Sequence, residues 1–243
     1  MKDPSESQVL YLSALLEYEY NFFFREFVDL LDELSIEWRM LEKTNEIWCR
    51  DFMPVQVAKN KFVQFIFNPD YLDGYEFLVT DPHAVCEMIS LKPIYSGLII
   101  DGGNIVRSQT KVICTDKIYS ENRKFSELEI RAELRRLLEV DEIISIPKEP
   151  YDIIGHSDGM IRFIDGDTVL LNSYSECMPS FQLELLARLF EFSGLKIESM
   201  PYRIFNTVNS DNIPSAKGNY INFLQIGKVI ILPQYNIEED DMD

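Results

Sequence analysis

The sequence has 243 residues, of which 46% are hydrophobic and 12% aromatic, enough to bury an ordinary globular core. Its net charge of -18 argues against nucleic acid or an anionic membrane as partner and mildly favours a cationic ligand. No apolar stretch approaches the ~20 residues that cross a bilayer, and no secretory signal pattern stands at the start. We therefore expect a cytoplasmic protein with free thiols at its four dispersed cysteines, which are Cys49, Cys86, Cys114 and Cys177.

Three segments carry the capping signals and apolar spacing that predict helices. They are one or two helices that follow Ser5-x-x-Gln8 and extend to Leu34, a helix from Ser126-x-x-Glu129 to about Leu138, and a helix from about Ser180 to Phe192 that Ser193-Gly194 closes.

Four other stretches share a pattern: a polar or glycine-containing lead, an apolar strand, a short turn and a second strand. They are RDFMPVQVAKNKFVQFIF, DGGNIVRSQTKVICTD, SDGMIRFIDGDTVLLNS and KGNYINFLQIGKVIILPQ. Aligned at Asp51, Gly102, Asp158 and Gly218, they recur at intervals of about 50 to 60 residues, which is typical of a repeated supersecondary unit. Such a repeat would bring the leading segments together at one end of an axis. The alternative is four unrelated hairpins in an α+β domain.

The stretch GHSDGMIRF places His156, one of only two histidines, two residues before Asp158. In an extended segment both side chains point to the same face, so an imidazole and a carboxylate lie side by side. A zinc site is disfavoured because neither His83 nor any cysteine has ligand spacing to this pair. A neighbouring carboxylate favours the charged imidazole and suits it to proton transfer near neutral pH.

Asp51 and Asp101 also lie in leading segments, in EIWCRDFMP and IIDGGNIV. Taken alone, the first motif is equally compatible with a buried pair of Arg50 and Asp51 beside a core tryptophan. The second is compatible with a tight turn after a strand. Arg162, inside an apolar strand, is expected to have a structural role.

As an ordered set, IWCRDFMP, IIDGGNIV, GHSDGMIRF and SAKGNYINFL resemble the agmatine deiminase and Porphyromonas-type peptidylarginine deiminase family of the pentein, or guanidino-group-modifying, superfamily. The resemblance implies an α/β fold, a pentein-type propeller with four of its five repeats visible, in a single domain over residues 1–243. It implies a hydrolase without metal or cofactor, connected with putrescine biosynthesis. In this reaction a cysteine attacks the guanidinium carbon and ammonia departs. A covalent amidino intermediate remains. Water then yields a ureido product.

The resemblance also implies roles for individual residues. His156 is similar to the general acid and base that protonates the departing ammonia and later activates water. Asp51 and Asp158 are similar to the carboxylates that grip guanidinium nitrogens. Asp101 stands where the family commonly has a glutamate and would share the catalytic role, and Trp48 would wall the pocket. The partner would be a cationic guanidino small molecule or an arginine side chain, and a homo-oligomer is compatible with the sequence.

The family's nucleophilic cysteine lies in a glycine-rich segment of the fifth repeat, which the observed spacing puts near residue ~274. We therefore expect a domain incomplete at its C-terminus, and a chain that is inactive as given. Cys49, on the same face as Asp51 in an extended strand, is the one thiol that geometry leaves open. Three interpretations remain: part of a longer deiminase, a four-repeat relative that binds guanidinium without turning it over, and an amidinotransferase relative.

Overall fold

The computed structural model describes residues 8–191, 194–205 and 215–241, which fall into two compact units. The N-terminal unit lies within residues 2–102 and 225–230, and the C-terminal unit within residues 103–224 and 231–243. The helices are α1 (Ala14–Glu19), α2 (Asn21–Glu33), α3 (Cys49–Phe52), α4 (Pro82–Met88), α5 (Lys117–Glu121), α6 (Glu127–Leu138) and α7 (Pro179–Phe190). The strands are β1 (Val9–Ser13), β2 (Glu37–Leu41), β3 (Val55–Ala58), β4 (Lys61–Ile66), β5 (Ile94–Ile99), β6 (Val106–Arg107), β7 (Lys111–Thr115), β8 (Glu142–Ile146), β9 (Ile161–Phe163), β10 (Thr168–Asn172), β11 (Lys196–Met200), β12 (Leu224–Ile226) and β13 (Val229–Ile231).

The described N-terminal segment begins with a strand where the sequence pattern predicted a helix. β1 pairs in parallel with β2, so that Leu12 lies opposite Met40. The first helix begins only at Ala14, where the Ser13 hydroxyl accepts the N–H of Leu15 at 3.2 Å. The apolar and aromatic run of β1 favours a buried strand over the capping pattern at Ser5, which lies outside the described residues.

Three sheets share one topology, an antiparallel hairpin followed by a parallel third strand reached through helices. Their strand orders are β3-β4-β5, β6-β7-β8 and β9-β10-β11. A further sheet of two strands consists of β12 and β13. A turn precedes each hairpin: α3 before β3, residues 102–104 before β6, residues 157–160 before β9, and residues 217–218 before β12. The mixed α/β class is thus confirmed, whereas the propeller stays a prediction.

Local capping explains why α6 forms where the sequence predicted it. The Ser126 hydroxyl accepts the N–H of Glu129 at 3.3 Å, and the Glu129 carboxylate accepts the N–H of Ser126 at 2.8 Å. These two bonds satisfy backbone donors that the first helical turn leaves free. The helix ends at Leu138 as predicted, and α7 also lies where a helix was expected, while Ser193 lies outside the described residues.

Each unit has an apolar cluster that anchors its turns. In the N-terminal unit, Leu41, Phe52, Phe67 and Val85 pack together, and Phe52 is fully buried. In the C-terminal unit the cluster lies among β6 to β10 and α7, with members that include Val106, Ile113, Ile144, Ile161, Val169, Tyr174 and Leu185. None of the helices in the described part of the chain is long and apolar enough to span a membrane.

Arg162 in β9 connects this strand to a segment near the end of the C-terminal unit. Its guanidinium carbon lies 3.9 Å from the centre of the Phe223 ring, and its Nη1 donates to the Phe223 carbonyl. A cation held over an aromatic face and bonded to the adjacent backbone is a packing contact. These contacts agree with the structural role expected for Arg162.

Candidate functional site

Asp51 lies in the single helical turn α3, not in a strand. The N–H of Asp51 donates to the Trp48 carbonyl at 3.0 Å, and the following residue, Phe52, is buried in the core. The buried Gln64 amide donates to the Phe52 carbonyl at 3.3 Å and fixes the end of the turn. Asp51 is half-buried beside this anchor, and Trp48 is 61% exposed at the start of the turn.

Asp101 follows β5 and is buried, with 1% of its surface exposed. The next residue, Gly102, packs against α3, because a Cβ placed there would collide with the Arg50 carbonyl oxygen and lie 3.5 Å from the Asp51 Cα. Only glycine permits this approach of two backbones. Within the N-terminal unit, the structure therefore brings together the backbone segments that carry Asp51 and Asp101.

Glu46 joins this pair of carboxylates and was not singled out by the sequence patterns. Its carboxylate accepts the N–H of Thr80 at 3.5 Å. Burial raises the pKa of Glu46 to about 7, and the negative charges of Asp51 and Asp101 add to the rise. Glu46 therefore interacts electrostatically with Asp51 and Asp101 in the N-terminal unit.

Tyr71 is a second residue that the sequence patterns missed. It lies in the short 3-10 turn Asp70–Leu72 and is half-buried. Burial raises the pKa of the Tyr71 phenol well above its usual range, and the charges of Asp51 and Asp101 raise it further. A neutral phenol is thus held in the same acidic environment, where it can donate a hydrogen bond.

His156 and Asp158 lie in the C-terminal unit, in the turn that precedes β9. His156 is 8% exposed, and Asp158 is half-buried. The N–H of Asp158 donates to the Gly103 carbonyl at 3.1 Å. The Gly159 carbonyl accepts the side-chain amides of Asn172 at 2.8 Å and Asn219 at 2.9 Å. The turns before β6, β9 and β12 are therefore linked to one another within this unit.

The prediction that His156 and Asp158 lie in an extended segment was wrong. The N–H of Met160 donates to the Ser157 carbonyl at 3.0 Å, which closes a turn, and β9 begins only at Ile161. Glycines on both sides favour the turn over an extended segment. The side-by-side placement of the imidazole and the carboxylate consequently stays a prediction.

The four thiols differ in exposure, but burial raises the pKa of each of them. The pKa of the Cys49 thiol rises to about 12, that of Cys114 to about 12 and that of Cys86 to about 11. Cys177 is exposed, and its pKa is also raised. Because Cys49 and Asp51 lie two positions apart in a helical turn, the expectation that they share a strand face was wrong.

Among the described residues, no group of three or more histidine, cysteine, aspartate or glutamate side chains is arranged to hold a metal ion. The candidate site in the N-terminal unit consists of carboxylates and a phenol, which bind cations through charge and hydrogen bonds. The candidate site in the C-terminal unit adds an imidazole and a further carboxylate.

The repeated hairpin-and-crossover units give this chain a mixed α/β fold, which solved agmatine deiminases share. A C. jejuni agmatine deiminase variant with substrate bound has a TM-score of 0.76 at 19% identity, covering 99% of this chain and 84% of that chain. The agmatine deiminase of Enterococcus faecalis has a TM-score of 0.66 at 21% identity, covering 84% of this chain and 67% of that chain.

A sequence profile described as Porphyromonas-type peptidyl-arginine deiminase matches residues 23–243, and the chain belongs to this family. A Streptococcus mutans protein provisionally named an agmatine deiminase is 26% identical to it, over 84% of this chain. The chain spans 66% of the length of that relative. The family predicted from the four motifs is thus confirmed.

Proposed function

We propose that this chain binds a guanidinium group and that its reaction, as in the family it belongs to, is the deimination of a guanidino compound to a ureido product and ammonia. The observation that carries the proposal is the group of Glu46, Asp51 and Asp101 in the N-terminal unit, where the pKa of Glu46 rises to about 7. Carboxylates that repel one another are stabilised by a bound cation.

A guanidinium suits such carboxylates better than an ammonium does. Its planar fork donates two parallel hydrogen bonds to one carboxylate, which adds directional selectivity to the charge. We assign one contact of this kind to Asp51, with Trp48 as a wall of the pocket, and another to Asp158. The net charge of -18 attracts a cationic ligand over longer distances.

In the proposed reaction a thiolate forms a bond to the guanidinium carbon, and the C–N bond to the departing nitrogen breaks. His156 gives that nitrogen a proton, so that it departs as ammonia. An amidino thioether remains on the cysteine. His156 then takes a proton from water, whose oxygen attacks the same carbon and displaces the thiolate. Asp101 holds a guanidinium nitrogen during both steps. Overall, one water is consumed, and one ammonia and one proton are released.

The proposed reaction needs a thiolate, and the surroundings of the four cysteines disfavour that form. The pKa of Cys49, about 12, leaves it protonated at neutral pH, and burial disfavours the thiolate at the other three cysteines too. This observation favours binding without turnover as a second candidate function. An amidinotransferase would need an amine acceptor, and amine-dependent turnover would identify it.

Calorimetry with agmatine and putrescine tests the proposal, because these ligands differ in whether they carry a guanidinium. We expect agmatine to bind and putrescine to bind at least about tenfold more weakly. An arginine-containing peptide tests the alternative substrate class. Equal affinity for agmatine and putrescine would show that the site recognises charge alone, and it would contradict the guanidinium assignment.

We further propose that the repeated units belong to one domain built as a pentein-type α/β propeller, and that the protein acts in the cytoplasm. The shared topology of the three sheets and the linked turns of the C-terminal unit support the propeller. A crystal structure of the protein with agmatine tests the domain and the site together. Asp51 and His156 on opposite surfaces of that structure would contradict both.

A further inference from the structure

The backbone at Gly155, the residue before His156, is held by hydrogen bonds to its N–H and to its carbonyl. Asp152 accepts the N–H groups of Ile154 and Gly155, each at 2.9 Å, and so shapes the turn that leads to His156. The Thr115 hydroxyl donates to the Gly155 carbonyl at 2.7 Å. Gly155 is therefore bonded through both of its backbone polar groups.

Thr115 is itself held in place by a hydrogen bond of its backbone N–H. It is the last residue of β7, is fully buried, and donates its N–H to the side chain of Asn104 at 2.8 Å. The branched Cβ of Thr115 restricts its χ1 to few rotamers. The bond to Gly155 thus connects the segment before His156 to a rigid strand.

The residue after His156 is bonded to the same strand. The hydroxyl of Ser157, which is fully buried, donates to the Ile113 carbonyl at 3.3 Å. Ile113 and Thr115 lie two positions apart in β7, and so do the two residues that flank His156. Two hydroxyl groups therefore hold the backbone on both sides of His156 along β7.

Gly155 is the residue type that this backbone conformation requires. Its φ is +71°, which L side chains rarely adopt, and a Cβ there would lie 3.1 Å from the Lys148 side chain. Because the Gly155 carbonyl is buried, loss of the Thr115 hydroxyl would leave it without this donor and drive the peptide to rotate.

We propose that Thr115 is a positioning residue for His156. By fixing the Gly155 carbonyl, its hydroxyl sets the orientation of the backbone from which the imidazole extends. This inference rests on the general acid and base role proposed for His156, since proton transfer requires an imidazole within hydrogen-bond reach of the reacting atom. A displacement of about 1 Å is enough to lower a rate by roughly a hundredfold.

NMR of the imidazole groups at one fixed pH tests the proposal, since the chain has only two histidines. His83, exposed in the N-terminal unit, serves as the internal reference. We expect Thr115→Val, which removes the hydroxyl at nearly constant shape, to shift the His156 signals by more than their line width and to leave those of His83 unchanged. Thr115→Ser, which retains the donor, should restore the His156 signals.

The matched control is Thr168→Val, because Thr168 is also a buried strand threonine of the C-terminal unit, at the start of β10. It should leave the signals of both histidines in place. Unchanged His156 signals in a folded Thr115→Val variant, or equal shifts in both valine variants, would overturn the proposal.

A second measurement on the unaltered chain covers the case in which Thr115→Val does not fold. A buried hydroxyl that donates to a carbonyl is protected from exchange, so the Thr115 hydroxyl proton should give an observable signal. Its absence would overturn the proposal.

Failure of the proposed function gives a different result. Shifted His156 signals in Thr115→Val, together with equal affinity of the parent for agmatine and putrescine, would support positioning and contradict the proposed function.

Discussion

Gly102 lies directly against the carbonyl oxygen of Arg50, so that the turn after β5 and the helical turn α3 meet backbone to backbone. The two turns occupy equivalent places in consecutive repeats, each immediately before a hairpin. Asp51 and Asp101 extend from these turns. The packing of a single glycine therefore determines how closely the segments of two predicted site residues approach in the N-terminal unit.

Gly102→Ala should destabilise the protein, because the added methyl group must displace either backbone segment. Overpacking of this kind costs typically about 1–3 kcal/mol. Urea denaturation measures the loss. The matched control is Gly97→Ala in β5, where a Cβ meets no atom within 4 Å and glycine is unfavourable in a strand. A Gly102→Ala variant as stable as Gly97→Ala would show that the close approach is not present in solution.

The elements that could be predicted from the sequence depend on local signals. The helix α6 follows from Ser126 and Glu129, whose capping bonds lie within one turn. The four hairpins follow from short alternating runs and turn residues, and their recurrence at intervals of about 50 to 60 residues predicted the repeated unit. The family followed from the order of four motifs, each of which is unspecific alone.

The elements that escaped prediction depend on contacts distant in sequence. β1 is a strand because β2, more than twenty residues later, pairs with it. The raised pKa of Glu46 depends on burial and on Asp101, which no spacing rule connects with it. The turn at His156 is held by β7 through Thr115, so the pattern around His156 alone could not distinguish it from a strand.

Asp158→Asn should weaken agmatine binding by about tenfold or more, because the asparagine loses the charge and one of two acceptor oxygens. Charge-assisted hydrogen bonds contribute about 1.5–3 kcal/mol each. Calorimetry compares this variant with Asp141→Asn, which removes the same charge from an exposed position of the same unit. Equal affinity in the two variants would show that Asp158 does not bind the guanidinium.

Cys49→Ser should leave ammonia release from agmatine unchanged, at or near the background rate. A thiol with a pKa of about 12 supplies almost no thiolate at neutral pH, and the guanidinium carbon is deactivated by resonance. A coupled ammonia assay on the parent and the serine variant makes the comparison. Clear turnover that disappears in the serine variant would identify Cys49 as the nucleophile and overturn the proposal of binding without turnover.

Glu46 should make the ligand-free protein less stable as the pH rises from about 4.5 to about 7. The pKa of Glu46 is about 7 in the folded state against its ordinary value of 4.5, so the folded state holds more protons in this window. Glu46→Gln removes this contribution, and its melting temperature relative to the parent should rise across the window. The exposed Glu42→Gln variant is the control. Parallel pH profiles for the parent and Glu46→Gln would contradict the raised pKa.

Agmatine affinity should increase as the pH rises through about 7, and Glu46 should be the reason. A bound cation favours the charged carboxylate and lowers the pKa of Glu46 below its value of about 7 in the ligand-free protein. Binding near this pH therefore releases a proton. Calorimetry in two buffers of different ionisation enthalpy measures that proton directly. Glu46→Gln should flatten the pH profile near 7 and abolish the proton release, whereas Glu42→Gln should retain both. Proton release that persists in Glu46→Gln would assign the titration to another group, and the absence of release in the parent would show that the cation binds away from Glu46.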